Sequence, residues 1–307
     1  MSVSATPQPQ VLVAADAQAL EQHKPPAALR RRRLLIGVAN HSLLIAAAII
    51  FLLPFGFILM TALMSQAQTL SPNIFPHPIR FQNFADIFHT APLLRWMLNT
   101  LEYSFFGTLG LLISSIPIAY ALAHLRWRGR NIVLLVVLVA MMLPPQVSVV
   151  SVYVFWYKVH QVTGITTINS LLPLIIPNWL GDAFSIFLLR QFFLTIPQEY
   201  LDAARVDGCG EFRILWSVVI RLAKPAIAAV TLFSVLYTFN DFFLPLLYTD
   251  QAHWPLSIGL ANFRTLHQVQ WNLTMAATLL VMAPVIILFF AAQKAFVEGV
   301  TLTGVKG

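Results

Sequence analysis

Eight charged side chains stand within the segment Ile196 to Pro225: Glu199, Asp202, Arg205, Asp207, Glu211, Arg213, Arg221 and Lys224, with strongly apolar runs on both sides. Inside it, Asp202-Ala203-Ala204 is followed by three residues and then Gly208, the pattern of a short helix stopped by a glycine. Acids and bases mixed at this density must face water or a partner, so the chemistry this spacing suits is docking. A second polar set lies within the apolar runs: Glu102, Asp182 and Asp241, accompanied by Asn99, Gln146, Ser148, Asn178 and Asn240. Ionisable groups in lipid are costly and tend to mark function. Two readings stay open for them, hydrogen bonding between helices and lining of a hydrated path for a polyhydroxylated solute. Gln146, Asn240 and Asp241, beside prolines, are the candidates for such a path.

Catalytic constellations are missing. There is no phosphate-cradling Gly/Lys/Ser-Thr loop, no pair of histidines spaced for zinc on one helix face and no Gly-x-Ser-x-Gly elbow. His23, His77, His89, His160, His253 and His267 fall in tails or loops, while His41 and His124 fall near the inner ends of apolar runs, so no metal-ligand cluster forms. The single cysteine, Cys209, excludes a disulfide framework.

The elements that must position these residues follow from composition. The 307 residues are 58% hydrophobic and 10% charged, with a mean hydropathy of +0.75, whereas soluble domains carry about 25% charged residues. An all-α polytopic membrane protein is the class this implies. A hydrocarbon core of about 30 Å takes about 20 helical residues to cross. Six runs meet that length: Leu34 to Met64, Met97 to Leu125, Ile132 to Tyr157, Leu171 to Leu194, Ala226 to Leu247 and Leu273 to Phe296. The prolines within them (Pro54, Pro117, Pro144, Pro145, Pro173, Pro177, Pro245, Pro284) are expected to kink the spans rather than end them.

With the N-terminus inside, fifteen of the 19 Lys and Arg fall on the cytoplasmic side, and Arg80, Arg95, Lys158 and Arg264 fall outside. Positive loops stay in the cytoplasm, so both termini and the 196–225 loop are expected there. The net charge of +7 is therefore a membrane-topology signal and not one for nucleic acid. Residues 1–33 read as a disordered basic cytoplasmic tail, and residues 34–307 as one six-span domain. Arg30 to Arg33 imitate a twin-arginine signal, but the run after them is too long for one and reads as a retained anchor. Trp254 and Trp271, near span ends, read as interface anchors ahead of sugar-stacking platforms.

The 196–225 segment resembles the signature loop of permease subunits of bacterial binding-protein-dependent ABC importers. That family's pattern is Glu-Ala-Ala, three residues, Gly, nine residues and Ile-x-Leu-Pro. Here Asp202-Ala203-Ala204, Arg205-Val206-Asp207 and Gly208 match the first half with one conservative change. Val218, Val219 and Ile220 follow at the expected distance, and Arg221 stands in the usual proline's place with Pro225 four residues on. Phe187 to Phe193, Ile196-Pro197, Asn240-Asp241-Phe242 and the ending Phe296 to Val300 through Gly304 to Gly307 are similar to the carbohydrate branch, the maltose-type second permease in particular.

The resemblance implies the type I ABC permease fold in the bacterial cytoplasmic membrane. It implies a coupling helix with Glu199, Asp202, Ala203, Ala204, Arg205, Asp207 and Gly208 in the loop that docks an ABC ATPase dimer. It also implies a C-terminal tail, Gly304, Val305, Lys306 and Gly307, that reaches the same dimer. ATP and Mg would be held by the ATPase subunits and no cofactor by this chain. The further partners implied are a second related permease, an extracytoplasmic solute-binding protein and membrane lipid. The cargo would be a sugar, oligosaccharide or glycerol-phosphate-like solute. An ion-coupled secondary transporter is the rival reading, with Asp182 and Asp241 as its convincing carboxylates. A membrane enzyme or assembly factor ranks behind it for want of a catalytic cluster.

Overall fold

The computed structural model describes residues 27–266 and 270–304, which are helical apart from turns and loops; no strand occurs among the described residues. The chain divides into two units, Met1–Phe57 and Ile58–Gly307. The first carries most of helix α1 (Ala27–Ala62), which from Leu43 onward is apolar around its whole circumference. That pattern belongs to a helix surrounded by other apolar matter and not to a water-facing amphipath. The helix begins at Ala27, so Arg30 to Arg33 form its first turns instead of belonging to a tail; residues 1–26 of the expected tail lie outside the described residues.

The second unit is built on helix α3 (Leu93–Ala123), preceded by the short α2 (Asn83–Thr90). The chain continues as α4 (Arg130–Met142), α5 (Pro145–Thr163), the single turn α6 (Leu172–Ile175), α7 (Ala183–Phe193), α8 (Gln198–Val206) and α9 (Glu211–Leu222). It then forms α10 (Lys224–Asn240), α11 (Phe243–Tyr248), α12 (Leu256–Leu266) and α13 (Trp271–Gly304). Helix α3 packs against α7, α10, α12 and the 3₁₀ turn Ile176–Leu180, and α10 also packs on α13. Small and polar residues on one side of α3 permit this closeness: Thr100, Ser104, Gly107, Thr108 and Ser115 are all buried.

Four helices are long and apolar enough to cross a membrane, and two bent pairs raise the number to six if each pair is one span. The expected runs therefore appear, but several prolines act differently from the expectation. Pro54, Pro117 and Pro284 lie inside continuous helices. Pro144 and Pro145 do not kink a helix; they separate α4 from α5, which are bent by 102°. A residue before proline is pushed out of the helical region, and both Leu143 and Pro144 are extended. The fourth run is interrupted at Gly181-Asp182, where Gly181 takes a positive φ of 102°. The fifth ends at Asn240 instead of Leu247, with Asp241 extended and Pro245 in the separate turn α11.

Two contacts fix α12 and the 3₁₀ turn onto α3. A Cβ on Gly259 would stand 2.2 Å from the Trp96 ring, and one on Gly110 would stand 2.2 Å from the Trp179 ring. Each glycine is the floor on which an indole lies, and Trp96 is buried. Overpacking a filled site costs about 1–3 kcal/mol, whereas Gly to Ala in an open helix position gains up to about 1 kcal/mol. Gly259→Ala is therefore expected to lower the thermal unfolding midpoint in detergent by several degrees. Gly56→Ala, with nothing within 4 Å of the new methyl, is expected to leave it unchanged or raise it.

Candidate functional site

Helix α8 is the short helix expected before Gly208, and its end has a defined cause. Gly208 takes a φ of +80°, its N–H donates to Arg205 O at 3.0 Å, and Cys209 N–H donates to Ala204 O at 3.0 Å. These are the paired bonds of a Schellman C-cap, which needs a left-handed residue at that point. Glu199 in the first turn and Arg205 in the last also suit the helix dipole.

One face of α8 is anchored and the other is open. Leu201 is fully buried among Phe193, Ile196, Ile214 and Tyr120, and Ala204 and Cys209 pack at the edge of that cluster. Glu199, Tyr200, Asp202, Ala203, Val206 and Asp207 are exposed. The two alanines of the motif are thus not equivalent: Ala203 is open to a partner, while Ala204 packs against the protein's own bundle.

Arg205 also belongs to the anchor. Its Nη1 donates to Asp202 Oδ1 at 2.8 Å and its Nε to Glu211 Oε1 at 2.8 Å. The Tyr120 hydroxyl, from the last turns of α3, donates to Glu211 Oε2 at 2.5 Å. A chain of charge-assisted bonds therefore runs from α8 through the start of α9 to α3. The Gln198 amide and then the Arg205 guanidinium hold the Asp202 carboxyl below the usual carboxylate range. The Glu211 carboxylate, ahead of Asp202, pushes Arg205 further up, so it stays cationic at any working pH. Neither Glu211 nor Tyr120 was indicated by motif spacing; a carboxylate six residues past an arginine, across a helix stop, gives no periodic signal.

The same end of the bundle is held by other basic residues. Arg190 Nε donates to Leu122 O at 3.1 Å, Arg130 Nη2 donates to Ala123 O at 3.2 Å, and His124 Nε2 lies 3.0 Å from Phe193 O. The two arginines take up carbonyls that the last turn of α3 leaves free. The entry to α10 is bent by 80° from α9 at Ala223. Pro225 sits in the first turn of α10, where its missing N–H costs nothing, so the bend falls there although Arg221 replaces the expected proline. A π-helical turn, Leu215–Val219, precedes it.

The intramembrane candidates do not come together. Asp241 is buried, accepts the Tyr103 hydroxyl at 3.0 Å and takes Leu244 N–H at 3.4 Å, while its carbonyl accepts Ser257 Oγ–H at 2.5 Å. Asn240 is exposed and bonds back to Leu236 O at 2.7 Å. Gln146 is exposed in the first turn of α5. Glu102 is also exposed, and Asn99 is spent on the carbonyls of Ala252 and Trp254.

A cavity of about 480 Å³ opens elsewhere, between α3, α7 and α10, with Tyr103, Asn178, Asp182, Ser185, Ser234 and Tyr237 as its polar wall. Asp182 Oδ2 caps α7 by accepting Ser185 N–H at 2.7 Å, and Ser115 Oγ accepts Asp182 N–H at 3.3 Å. Asp241 adjoins the cavity through its hydrogen-bond partners Tyr103 and Leu244, which both line it. The tyrosines were not singled out by sequence, since an aromatic in an apolar run looks like core or lipid contact. At the C-terminus, α13 reaches Gly304, and Val305, Lys306 and Gly307 lie outside the described residues.

Comparison with known proteins places this geometry. Residues 115–302 match the family of binding-protein-dependent transport system inner membrane components. The arabinooligosaccharides transport system permease protein AraQ of Bacillus subtilis (strain 168) is 30% identical over 266 residues, 85% of this chain and 92% of the relative. The sn-glycerol-3-phosphate transport system permease protein UgpE of Yersinia pestis bv. Antiqua (strain Antiqua) is 29% identical, covering 84% of this chain and 94% of the relative. Among solved structures, a chain of a bacterial ABC transporter involved in the import of the acidic polysaccharide alginate superposes with a TM-score of 0.73 at 26% identity, covering 87% of this chain and 98% of that one.

Removing the Tyr103 hydroxyl would leave the buried Asp241 carboxyl short of a donor, a loss of about 1–3 kcal/mol. Tyr103→Phe is therefore expected to lower the unfolding midpoint in detergent. Arg205→Ala is expected to raise amide hydrogen exchange across Gln198–Val206 while leaving α3 protected; unchanged exchange in α8 would show that Leu201 alone holds the helix.

Proposed function

The chain belongs to the family of binding-protein-dependent transport system inner membrane components; it is a non-catalytic, multi-pass permease subunit of an ABC importer, and on that premise we propose that α8 is its coupling helix. The observation that carries this reading is the division of α8 into an open face, with Glu199, Asp202, Ala203 and Asp207, and an anchored face, with Leu201, Ala204 and Arg205. A helix tied on one side to the bundle and free on the other can seat in a groove of a soluble partner and transmit its movement. The partner is an ABC ATPase dimer, which holds ATP and Mg. The C-terminal Gly304 to Gly307 reaches the same dimer.

The bundle lies in the bacterial cytoplasmic membrane with both termini and α8 inside, in keeping with the distribution of Lys and Arg. A second related permease completes the translocation pathway, and an extracytoplasmic solute-binding protein delivers a sugar, oligosaccharide or glycerol-phosphate-like solute. ATP closes the ATPase dimer, α8 moves with it, and the spans change from inward to outward access. Asp241 supports the path from behind Tyr103, and Asn240 and Gln146, which are exposed on this subunit, line it.

Two measurements test this reading. In membrane vesicles carrying the assembled transporter, uptake is expected to follow enclosed ATP and not an imposed proton or sodium gradient; uptake on the gradient alone would restore the secondary-transporter reading. A β-branched residue in the left-handed region is strained by about 1–2 kcal/mol. Gly208→Val is accordingly expected to cut transport to about a tenth while ATP hydrolysis continues, and full transport by this variant would sink the coupling role.

A further inference from the structure

We propose that the cavity between α3, α7 and α10 is a solute-contact site within this subunit, and that it accepts neutral polyhydroxylated solutes and rejects phosphate- or carboxylate-bearing ones. The proposal rests on the importer reading and narrows it. A space of about 480 Å³ is in the range of small-molecule sites, which join apolar or aromatic walls to a few placed polar groups.

This wall has both features. Tyr103, Phe184, Phe233 and Tyr237 supply ring surface, and the edge-to-face pair Phe184–Phe233, with centroids 5.9 Å apart, is positioned by its own contact. Aromatic faces suit the C–H surfaces of sugar rings. Asn178, Asp182, Ser185 and Ser234 bring hydrogen-bonding groups from three different elements; Ser234 Oγ already bonds Thr108 Oγ, Asn178 Nδ2 donates to Leu174 O and Asp182 Oδ2 accepts Ser185 N–H, so a solute hydroxyl would use the second lone pair or proton of each group. Two helix breaks adjoin the space, at Gly181-Asp182 and at Asp241-Phe242. Irregular backbone at membrane depth belongs where it lines a cavity or is buried in protein.

Charge sets the selectivity. Asp182 is in the wall, the Asp241 carboxyl lies directly behind Tyr103, and no Lys, Arg or His is among the described residues lining the space. An anion entering it would lose hydration, meet acidic side chains and find no cation. A neutral sugar exchanges water for hydroxyl partners without that loss. Arginine or lysine is the ordinary device for phosphate; Arg130 and Arg190 are committed to helix carbonyls at the far end of α3, and Arg95, in its first turn, is exposed and does not line the space.

The test uses the assembled transporter in membrane vesicles with Ser234→Cys as a reporter in the wall, and wild type, with Cys209 as its one cysteine, as background. Modification by methanethiosulfonate ethylammonium is timed with raffinose or an arabinotriose, with sn-glycerol 3-phosphate, and with an alginate trisaccharide. A neutral probe is expected to slow modification about threefold at twice its dissociation constant, and the two anionic probes to leave it unchanged. Phe184→Cys, on a more exposed part of the same wall, repeats the measurement should Ser234→Cys misfold. Protection by an anionic probe equal to that of the neutral ones, or no protection by any neutral probe, overturns the proposal. ATP-driven uptake of the same probes is scored separately: its absence for all of them refutes the importer reading, while the protection pattern still decides the cavity.

Discussion

Lipid offers no partner to a backbone N–H or C=O, so every interruption of a span must be satisfied by protein. The described bundle obeys this constraint at two aspartates. At the break in the fourth run, Asp182 accepts Ser185 N–H and gives its own N–H to Ser115 on α3. At the break in the fifth, Asp241 accepts Leu244 N–H and the Tyr103 hydroxyl, again from α3, while its carbonyl takes Ser257 Oγ–H. Tyr103 and Ser115 are twelve residues apart, about 18 Å along a helix. A single continuous helix thus supports both broken ones, which explains why α3 is the element most of the bundle packs on. The carboxyl groups that look like transport chemistry in an apolar run are, first, the caps that allow the runs to break.

Much of the fold was legible because chain length against bilayer thickness is a strong rule. The first, second and sixth runs and the glycine-stopped helix at Gly208 stand close to where hydropathy and turn chemistry put them, while the third, fourth and fifth are interrupted. Interior faces were less legible for a physical reason: lipid and protein core are equally apolar, so a span carries no amphipathic stripe to orient it. The buried Tyr103 therefore looked no different from Phe105 or Phe106, which are exposed. The usable signal was the row of small and polar residues on α3, from Thr100 to Ser115. Proline was overread as a kink. Whether it bends or breaks depends on the neighbouring residue, and Pro144-Pro145 doubles the penalty where Pro117 pays it once.

The charged segment divides in the same way. Its motif marked the docking half, but spacing could not say which charges look outward. Arg205 and Glu211 turn inward to each other and to Tyr120, and the basic residues counted for topology at Arg130 and Arg190 close the end of α3. Positive charge at this end is therefore structural as well as topological. A guanidinium that caps a helix carbonyl still holds its loop on one side of the membrane.

Where stiffness lies bears on how α8 could act. Between α8 and α9 the chain turns through the Gly208 cap, yet Leu201, Ile214 and Leu215 share one buried cluster, and Arg205 bridges to Glu211. These ties make α8 and the start of α9 one body. Beyond them the ladder changes: a π turn at Leu215–Val219 is followed by the 80° bend at Ala223, where Pro225 brings no N–H to continue the helix. Because Arg221 occupies the position four residues before Pro225, its carbonyl is the one the proline leaves without its helical donor. The break thus lies within one turn of the α10 entry, where Val219, Ala223, Ala226 and Val230 share the buried cluster of Leu201, and α10 forms one wall of the cavity through Phe233, Ser234 and Tyr237.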